Sequence, residues 1–271
     1  MKTALIQMPV TESKQQNIRT AVEYLTQAAR EGAELAVLPE MFCSIYRNRD
    51  FIQNAEETGG EAWRAMSKAA KDLGLWLVAG SIPEQSGGKL YNASFVFDSD
   101  GQQVACHRKV HMFDIRVKND QWFRESATFT PGDQVTVFDT PFGKMGLCIC
   151  FDLRFPELSM LMALKGARAI IVPASFNMTT GPAHWELLFR QRAVDNQLHT
   201  IGVAPARDVN GPYVSYSNSL ICSPWGEVLA RADIEPKVMV VDIDLDRNEA
   251  IRDQLPLLSA RRTEVYSVIE K

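Results

Sequence analysis

Cys150 lies in a stretch whose residue types suit nucleophilic chemistry. Residues 144–158 read KMGLCICFDLRFPEL: an apolar run ends at Cys150, and Pro156 is suited to the first turn of a helix. In open α/β folds the reactive groups lie just beyond the carboxyl ends of strands, so Cys150 occupies the position of a nucleophile. Free cysteine is also among the most buried residue types, which leaves a structural role in the core as the alternative.

Two charged residues elsewhere in the chain also follow predicted strands. Glu40 comes after the apolar run 35–38 and Pro39, and Lys109 comes after the predicted strand 103–107. Each has an ordinary explanation when taken alone, because a glutamate after proline often caps a helix and a lysine is usually solvated. Together with the thiol they are the parts of an acyl-transfer site. Cysteine attacks as the thiolate and its ordinary pKa is about 8.5, so Glu40 could remove the proton and Lys109 could favour the anion.

Composition and charge narrow the classes of partner. The 271 residues are 46% apolar and contain no linker-like stretch, which predicts a single domain over 1–271. The net charge of -4 and the shortness of the basic runs argue against a nucleic-acid surface, so a small molecule or a protein is expected. The first apolar run is interrupted at Gln7 and Pro9, which makes it too short for a signal peptide or a membrane span.

The five cysteines indicate the compartment. Their number is odd and no two have the CxxC spacing, so neither a disulfide framework nor a thiolate zinc site is indicated. They are interpreted as reduced thiols, and the protein is expected in the cytoplasm.

The hydrophobic pattern predicts strands and helices in alternation. Strands are expected at 3–8, 35–38, 76–79, 90–97, 103–107, 135–138, 144–149, 169–172, 200–204, 219–222, 228–231 and 238–243. Helices are expected from 17 to a C-cap at Gly32, at 61–73, at 156–165, around Trp185 and at 246–254. Residues 111–133 have no clean period and predict a long ordered loop. The pattern is typical of a layered α/β fold, and two facing sheets with helices outside would satisfy it without being required by it.

Three motifs resemble those of a known family. VLPEMF (37–42), HRKVHMFD (107–114) and GLCICFDLRFPEL (146–158) are similar to the Glu, Lys and Cys motifs of the nitrilase superfamily of carbon-nitrogen hydrolases. The resemblance continues through GSIPE (80–84), KLYN (89–92), FRES (123–126), RAVDNQ (192–197) and PWGEVLA (224–230), covers almost the whole chain, and is strongest to the omega-amidases. It implies an α-β-β-α sandwich that forms a homodimer or a higher homo-oligomer. The mixed composition of the C-terminal tail separately suggests that the tail could pack against a partner subunit.

The same resemblance implies a role for each site residue. Glu40 would be the general base for the thiol and later the general acid for ammonia, while Cys150 would form a thioester. Lys109 and the backbone N–H of Phe151 would hold the oxyanion. Glu125, in FRES, matches a second glutamate that would hold Lys109 and the substrate amide. The family chemistry implies neither a cofactor nor a metal.

The implied substrates are short dicarboxylate monoamides such as 2-oxoglutaramate and succinamate. Their far carboxylate needs donors, which the hydroxyls of Tyr46, Thr179 and Thr180 could supply. Alternatively, the two threonines cap the helix that follows them. Another amidase or a carbamoylase of the superfamily is the alternative activity, and a non-catalytic scaffold would be expected to lack one of the four charged or nucleophilic residues.

Two further alternatives concern neighbouring residues. Cys148 would face the same side as Cys150 if the strand ran on, and only the motif FDLRFP after Cys150 chooses between them. His107 and His111 have the i, i+4 spacing of a helical ligand pair, but a strand is predicted there and no third ligand stands out.

Overall fold

A computed structural model describes residues 1–117 and 121–271 of the chain. The strands in these ranges are β1 (Lys2–Gln7), β2 (Leu35–Val37), β3 (Trp76–Val78), β4 (Ile82–Ser86), β5 (Lys89–Phe97), β6 (Gln103–Arg108), β7 (Asp114–Val117), β8 (Gln121–Arg124), β9 (Thr136–Thr140), β10 (Gly143–Leu147), β11 (Ala169–Pro173), β12 (His199–Val203), β13 (Leu220–Cys222), β14 (Val228–Arg231) and β15 (Lys237–Asp242). The helices are α1 (Lys14–Arg30), α2 (Asn48–Asn54), α3 (Glu61–Leu73), α4 (Pro156–Leu164), α5 (Gly181–Asn196) and α6 (Arg247–Gln254). Two 3-10 turns cover Glu125–Ala127 and Cys150–Arg154.

Two large mixed sheets form the centre of the fold. The first has the order β15-β1-β2-β3-β5-β4 with β6 also paired to β5, and the second has the order β14-β13-β12-β11-β10-β9. In both, parallel pairs lie at the middle and antiparallel pairs at the edges. Helices α1 and α3 pack on the outer face of the first sheet, and α4 and α5 pack on the outer face of the second.

Successive residues of the central strands enter different layers of the core. Ile170 of β11 packs towards the α4 and α5 side, while Ile171 packs in the apolar layer between the sheets with Leu5 of β1. Because both faces of these strands are buried, their sequences are continuously apolar. The α-β-β-α sandwich implied by the family resemblance is confirmed.

Local sequence signals predicted several boundaries correctly. Helix α3 ends at Gly74, which adopts φ 64°, and α4 begins at Pro156. The hairpin of β5 and β6 turns at Asp98, whose side chain accepts the N–H groups of Asp100 and Gln102. Glycine adopts φ > 0 at a helix end without the cost that a Cβ brings, and proline lacks the N–H that the first helical turn leaves unpaired, so these signals are local.

The prediction of a loop over 111–133 was wrong in part. β7 and β8 pair as antiparallel strands and the 3-10 turn at Glu125–Ala127 follows, while residues 118–120 lie outside the described residues. The strand pattern was hidden because Phe113 and Phe123 pack on an aromatic cluster around Tyr46 rather than on either main sheet. The sequence analysis also missed α2 and β4. β4 contains Pro83 and is the last strand of its sheet, paired with β5, and proline is tolerated in edge strands.

The predicted strand 144–149 ends early. β10 stops at Leu147, and the N–H of Ile149 is bound at 3.0 Å by the side chain of Asp152 instead of by a neighbouring strand. With this hydrogen bond the chain leaves the sheet and turns immediately before Cys150. None of the helices within the described ranges combines the length and apolar character that crossing a bilayer requires.

Candidate active site

Cys150 begins the 3-10 turn Cys150–Arg154 in a left-handed conformation, with φ 47°. A residue with a Cβ adopts this conformation at a cost of about 1–2 kcal/mol, so the surrounding contacts must hold it. Its Sγ accepts the N–H of Ser175, which follows β11, at 3.5 Å. Burial raises the pKa of the thiol well above 9.0, the charge of Glu40 raises it further, and Lys109 and the Ser175 N–H only partly oppose this. Burial therefore favours the thiol form of Cys150, and attack by this residue would need a base to remove the proton.

Glu40 is buried on the loop after β2. Its loop is held by Met41, which has φ 54° and donates its N–H to Ser81 Oγ at 3.0 Å. Gly80 permits this approach, because a Cβ there would lie 2.2 Å from the carbonyl oxygen of Pro39. Within the described residues Oε2 of Glu40 has no hydrogen-bond partner. Burial raises the pKa of Glu40, Lys109 lowers it, and Glu125 raises it again, with a net rise from 4.5.

Lys109 lies between two carboxylates immediately after β6. Its Nζ is 2.9 Å from Glu40 Oε1 and 3.1 and 2.9 Å from the two oxygens of Glu125. Complete burial disfavours the charged amine, but the two carboxylates outweigh it and raise the pKa of Lys109 well above 10.5. The ammonium charge of Lys109 is thus shared by two carboxylates.

Glu125, Asn92 and Tyr46 complete this buried cluster. Glu125 begins the 3-10 turn after β8, and its Oε2 accepts the N–H of Phe113 at 2.6 Å. Asn92 of β5 donates to Oε1 of Glu40 at 2.9 Å and to Oε1 of Glu125 at 3.1 Å. The hydroxyl of Tyr46 lies 3.4 Å from the same two oxygens and from Lys109 Nζ. Tyr46 was proposed to contact substrate, and the structure brings it into the charged cluster.

A second buried network is centred on Asp152, two residues after the nucleophile. Oδ1 accepts the N–H groups of Val110 and His111 and also His111 Nδ1, while Oδ2 faces His107 Nε2 and the N–H of Ile149. This carboxylate joins the segment after Lys109 to the turn that carries Cys150. Burial alone would raise its pKa, but the two histidines and the backbone donors outweigh burial and lower the pKa below 3.8. The histidines whose spacing suggested a metal both use a ring nitrogen here.

Two of these residues escaped the sequence analysis as site residues. Asn92 stood in the motif KLYN and Asp152 in the motif after Cys150, and each was quoted there without a role. A polar residue inside an apolar strand, as Asn92 is in β5, was the available signal.

The remaining predicted residues are Phe151, which directly follows Cys150, and Thr179 and Thr180, which precede α5. The N–H of Phe151 belongs to the first residues of the Cys150 turn, whose N–H groups have no partner inside a helix. Thr179 is exposed and Thr180 half-buried on the loop into α5, where Thr180 Oγ1 donates to Asn177 Oδ1 at 3.0 Å. Asn177 therefore caps this turn, and the hydroxyl of Thr180 does not cap α5.

Arg154 is a cation near Cys150 that the sequence analysis assigned no role. Its guanidinium lies 4.8 Å from the ring of Phe176 and 5.6 Å from that of Phe151, and Nη1 is 3.1 Å from His184 Nδ1. It forms no ion pair with any residue in the described part of the chain. Desolvation lowers its pKa and the Cys150 charge opposes this. A half-buried guanidinium of this kind is available to an anion.

The profile of the carbon-nitrogen hydrolase family matches residues 2–253. The chain belongs to this family. It is 46% identical to omega-amidase NIT2 of Xenopus tropicalis over 270 residues, which cover 100% of this chain and 98% of that protein. Omega-amidase NIT2 of Homo sapiens is 44% identical over 267 residues, covering 98% and 97%. The crystal structure of Saccharomyces cerevisiae Nit3, a member of branch 10 of the nitrilase superfamily, matches with a TM-score of 0.88 at 36% identity, covering 97% and 96%. The resemblance to the nitrilase superfamily is confirmed, and the carbon-nitrogen hydrolase is an enzyme.

Proposed function

We propose that this carbon-nitrogen hydrolase is an omega-amidase, which releases ammonia from the terminal amide of short dicarboxylate monoamides such as 2-oxoglutaramate and succinamate. The observation that carries the proposal is the identity of 44–46% with omega-amidases over essentially the whole length of both chains. Similarity over the full length includes the loops that line the site as well as the catalytic motifs, so it bears on the substrate class.

The first half of the reaction makes a thioester. Cys150 attacks the amide carbon while Oε2 of Glu40 takes the thiol proton, which suits an oxygen without another partner. Lys109 and the N–H of Phe151 stabilise the negative charge that develops on the carbonyl oxygen. Glu40 then gives its proton to the leaving nitrogen, and ammonia departs.

The second half of the reaction reverses these roles with water. Glu40 removes a proton from the water that attacks the thioester, and the thiol of Cys150 is released with that proton. Glu125 keeps Lys109 charged and in place through both halves, since both of its oxygens contact the ammonium group. No cofactor enters these steps.

The far carboxylate of the substrate requires a donor, and Arg154 is our proposal for it. The guanidinium has no carboxylate partner among the described residues and lies over the rings of Phe151 and Phe176, the residues that follow Cys150 and Ser175. Arginine binds a carboxylate with two parallel hydrogen bonds. The hydroxyls of Thr179 and Thr180 remain proposed as additional donors, and Tyr46 as a group close to the reacting amide.

A substrate panel tests the proposal. We expect ammonia release from succinamate and 2-oxoglutaramate to exceed that from butyramide greatly, and nitriles and N-carbamoyl amino acids to react poorly. A site built to bind a carboxylate leaves buried donors unpaired with an analogue that lacks one. Equal kcat/KM for succinamate and butyramide would refute the carboxylate site, and faster hydrolysis of an N-carbamoyl compound would favour the carbamoylase alternative.

Arg154→Met sharpens the same test. Loss of a charge-assisted interaction predicts a decrease of about 10- to 100-fold in kcat/KM for succinamate. Hydrolysis of butyramide is the internal control and should change little, because butyramide has no carboxylate. An equal decrease for both substrates would show that Arg154 supports the site rather than binding the carboxylate.

We also propose that the protein forms a homodimer. An exposed apolar surface runs over α5, the turn before β14 and the end of α6; it includes Leu187, Val194, Trp225, Leu255 and Leu257. Contiguous apolar patches of this kind mark association surfaces. The tail after α6 carries exposed Val265, Tyr266 and Ile269 and is a second candidate for subunit contact within a single domain of 1–271.

Sedimentation velocity tests the dimer. Trp225→Glu should shift the protein towards monomer, while Ile52→Glu, at an equally exposed position on α2, should not. A wild-type monomer at all concentrations would refute the proposal. The proposed location stays the cytoplasm, since five free cysteines, including the proposed nucleophile Cys150, suit a reducing compartment.

A further inference from the structure

Asn92 contacts both glutamates of the cluster without carrying charge, at 2.9 and 3.1 Å, which is closer than the 3.4 Å contacts of the Tyr46 hydroxyl. It is completely buried in β5, and its backbone carbonyl accepts the N–H of Lys109 at 2.8 Å. Its side-chain nitrogen donates one hydrogen bond to Glu40 and one to Glu125, both to Oε1. The side-chain amide thus contacts two members of the cluster, and the backbone carbonyl of the same residue holds the backbone of the third, Lys109.

The orientation of this amide follows from the chemistry of its partners. Ionised carboxylates only accept hydrogen bonds, so the NH2 group of Asn92 must face them and its carbonyl oxygen must face away. That oxygen, Oδ1, is buried without a partner in the described residues. An unpaired buried acceptor costs free energy, which an apolar residue at this position of the strand would avoid.

The hydrogen bonds of Asn92 and Lys109 converge on one oxygen of Glu40. Oε1 receives both at 2.9 Å, while Oε2 receives none from the described residues. Two donors on the same oxygen fix the rotation of the carboxylate. They also bring Glu40 and Glu125 to a common donor, although the two negative charges repel each other.

We propose that Asn92 is a positioning residue that joins Glu40 and Glu125 into one unit and leaves Oε2 of Glu40 to receive the proton of Cys150. A neutral donor achieves this without adding a second positive charge, so the net charge of the cluster stays negative and Glu40 can still act as a base. The inference rests on the proposed role of Glu40 in the amidase reaction. Donation to the ionised form of Glu40 also offsets part of the rise in its pKa that burial and Glu125 cause.

The test compares Asn92→Ala, which removes both hydrogen bonds, with Asn92→Asp, which keeps the shape but replaces the donor with a third carboxylate. The rate of alkylation of Cys150 by iodoacetamide, followed by mass spectrometry, is measured against pH, as is kcat/KM for succinamate. Loss of the donor makes ionised Glu40 less stable, so its pKa rises and the acid limb of both profiles moves to higher pH. We expect a shift of about 1–2 pH units for Asn92→Ala and a larger one for Asn92→Asp.

The matched control is Asn17→Ala. Asn17 is also buried and bonded through its side chain, but to Thr11 at the start of α1, far along the chain from the cluster. It should leave the acid limb in place. Rates that fall at every pH with an unmoved limb in both Asn92 variants would overturn the proposal and leave a merely structural residue. Failure of the wild type to hydrolyse succinamate would overturn the proposed substrate alone, because alkylation needs no substrate.

Discussion

Glu40 and Asp152 are two buried carboxylates near Cys150, and they differ in how their hydrogen-bond donors are distributed over the two oxygens. Both oxygens of Asp152 are occupied, by three backbone N–H groups and two imidazoles. Glu40 has three neighbours on Oε1 and none among the described residues on Oε2. The pKa of Asp152 is lowered and that of Glu40 is raised, although burial acts in the same direction on both.

The difference shows what would separate a carboxylate that holds its neighbours in place from one that can act as a base. A carboxylate with all its lone pairs satisfied stays ionised and holds its donors in place, which makes it a poor proton acceptor. One with an unpaired oxygen next to another anion binds a proton more readily, and it can do so at that unpaired oxygen. Variants of Cys150, Glu40, Lys109 and Asp152 test this difference.

Removal of the thiol of Cys150 should have the largest effect on activity. Cys150→Ala should abolish turnover with the fold intact, because no thioester can form. Cys148→Ala is the matched control: Cys148 is also buried, two residues earlier, and its loss should preserve most activity. Steady-state ammonia release and mass spectrometry of a trapped acyl-enzyme check both. An adduct on Cys148 would contradict the assignment.

Removal of the carboxylate of Glu40 should have the next largest effect on activity. Glu40→Gln should lower kcat by about 100- to 10,000-fold, since general acid–base transfer is lost in both halves of the reaction. Stability should be nearly unchanged, because the variant replaces a carboxylate that already has an unpaired buried oxygen. Single-turnover kinetics and chemical denaturation measure the two quantities. A variant with normal kcat would place the base elsewhere.

Lys109 contacts the carboxylate of Glu40, and we expect it to act through its charge rather than as a covalent amine. Lys109→Ala should lower kcat by about 100- to 1000-fold, the effect of losing an oxyanion donor. No Schiff base is expected, because two carboxylates keep the amine protonated. Borohydride treatment during turnover checks this, and a substrate trapped on Lys109 would contradict it.

Removal of the carboxylate of Asp152 should affect the free energy of unfolding more than it affects kcat. In Asp152→Asn one end of the side chain becomes a donor that faces other donors, so the free energy of unfolding should fall by about 2–4 kcal/mol. The decrease in kcat should be smaller than in Glu40→Gln. The control Asp114→Asn changes an exposed carboxylate bound to Ser126 and should lose much less stability in urea denaturation. Equal losses in both variants would argue against a special role for Asp152.

The smallest expected effect is a change with pH in the stability lost by Asp152→Asn. The native pKa of Asp152 lies below 3.8, so its stabilising contribution is complete above about pH 4 and is lost as the pH falls from there towards the native value. Glu40 has a native pKa above 4.5, so its ionisation opposes folding as the pH rises through that region. The deficit of Asp152→Asn in denaturation should shrink below pH 4. A deficit that stayed constant down to pH 2 would contradict this.

Much of the fold could be predicted because its signals are local. Continuous apolar runs predicted the central strands, and Gly74 and Pro156 marked helix ends through their own backbone constraints. β7 and β8 were not predicted, because their side chains pack on a small aromatic cluster that no local period describes. The family motifs indicated Glu40, Lys109, Cys150 and Glu125 as site residues, and their catalytic roles stay predictions.

What the sequence by itself determined was which residue types stand at the ends of which strands. Only the tertiary structure decided which of them meet: Lys109 and Glu40 are 69 residues apart, Asn92 and Glu40 are 52 apart, and Asp152 and His107 are 45 apart. The number of donors on a buried oxygen depends on such distant neighbours. That number, and not the residue type, separates the carboxylate proposed as the base from the one that only holds the site together.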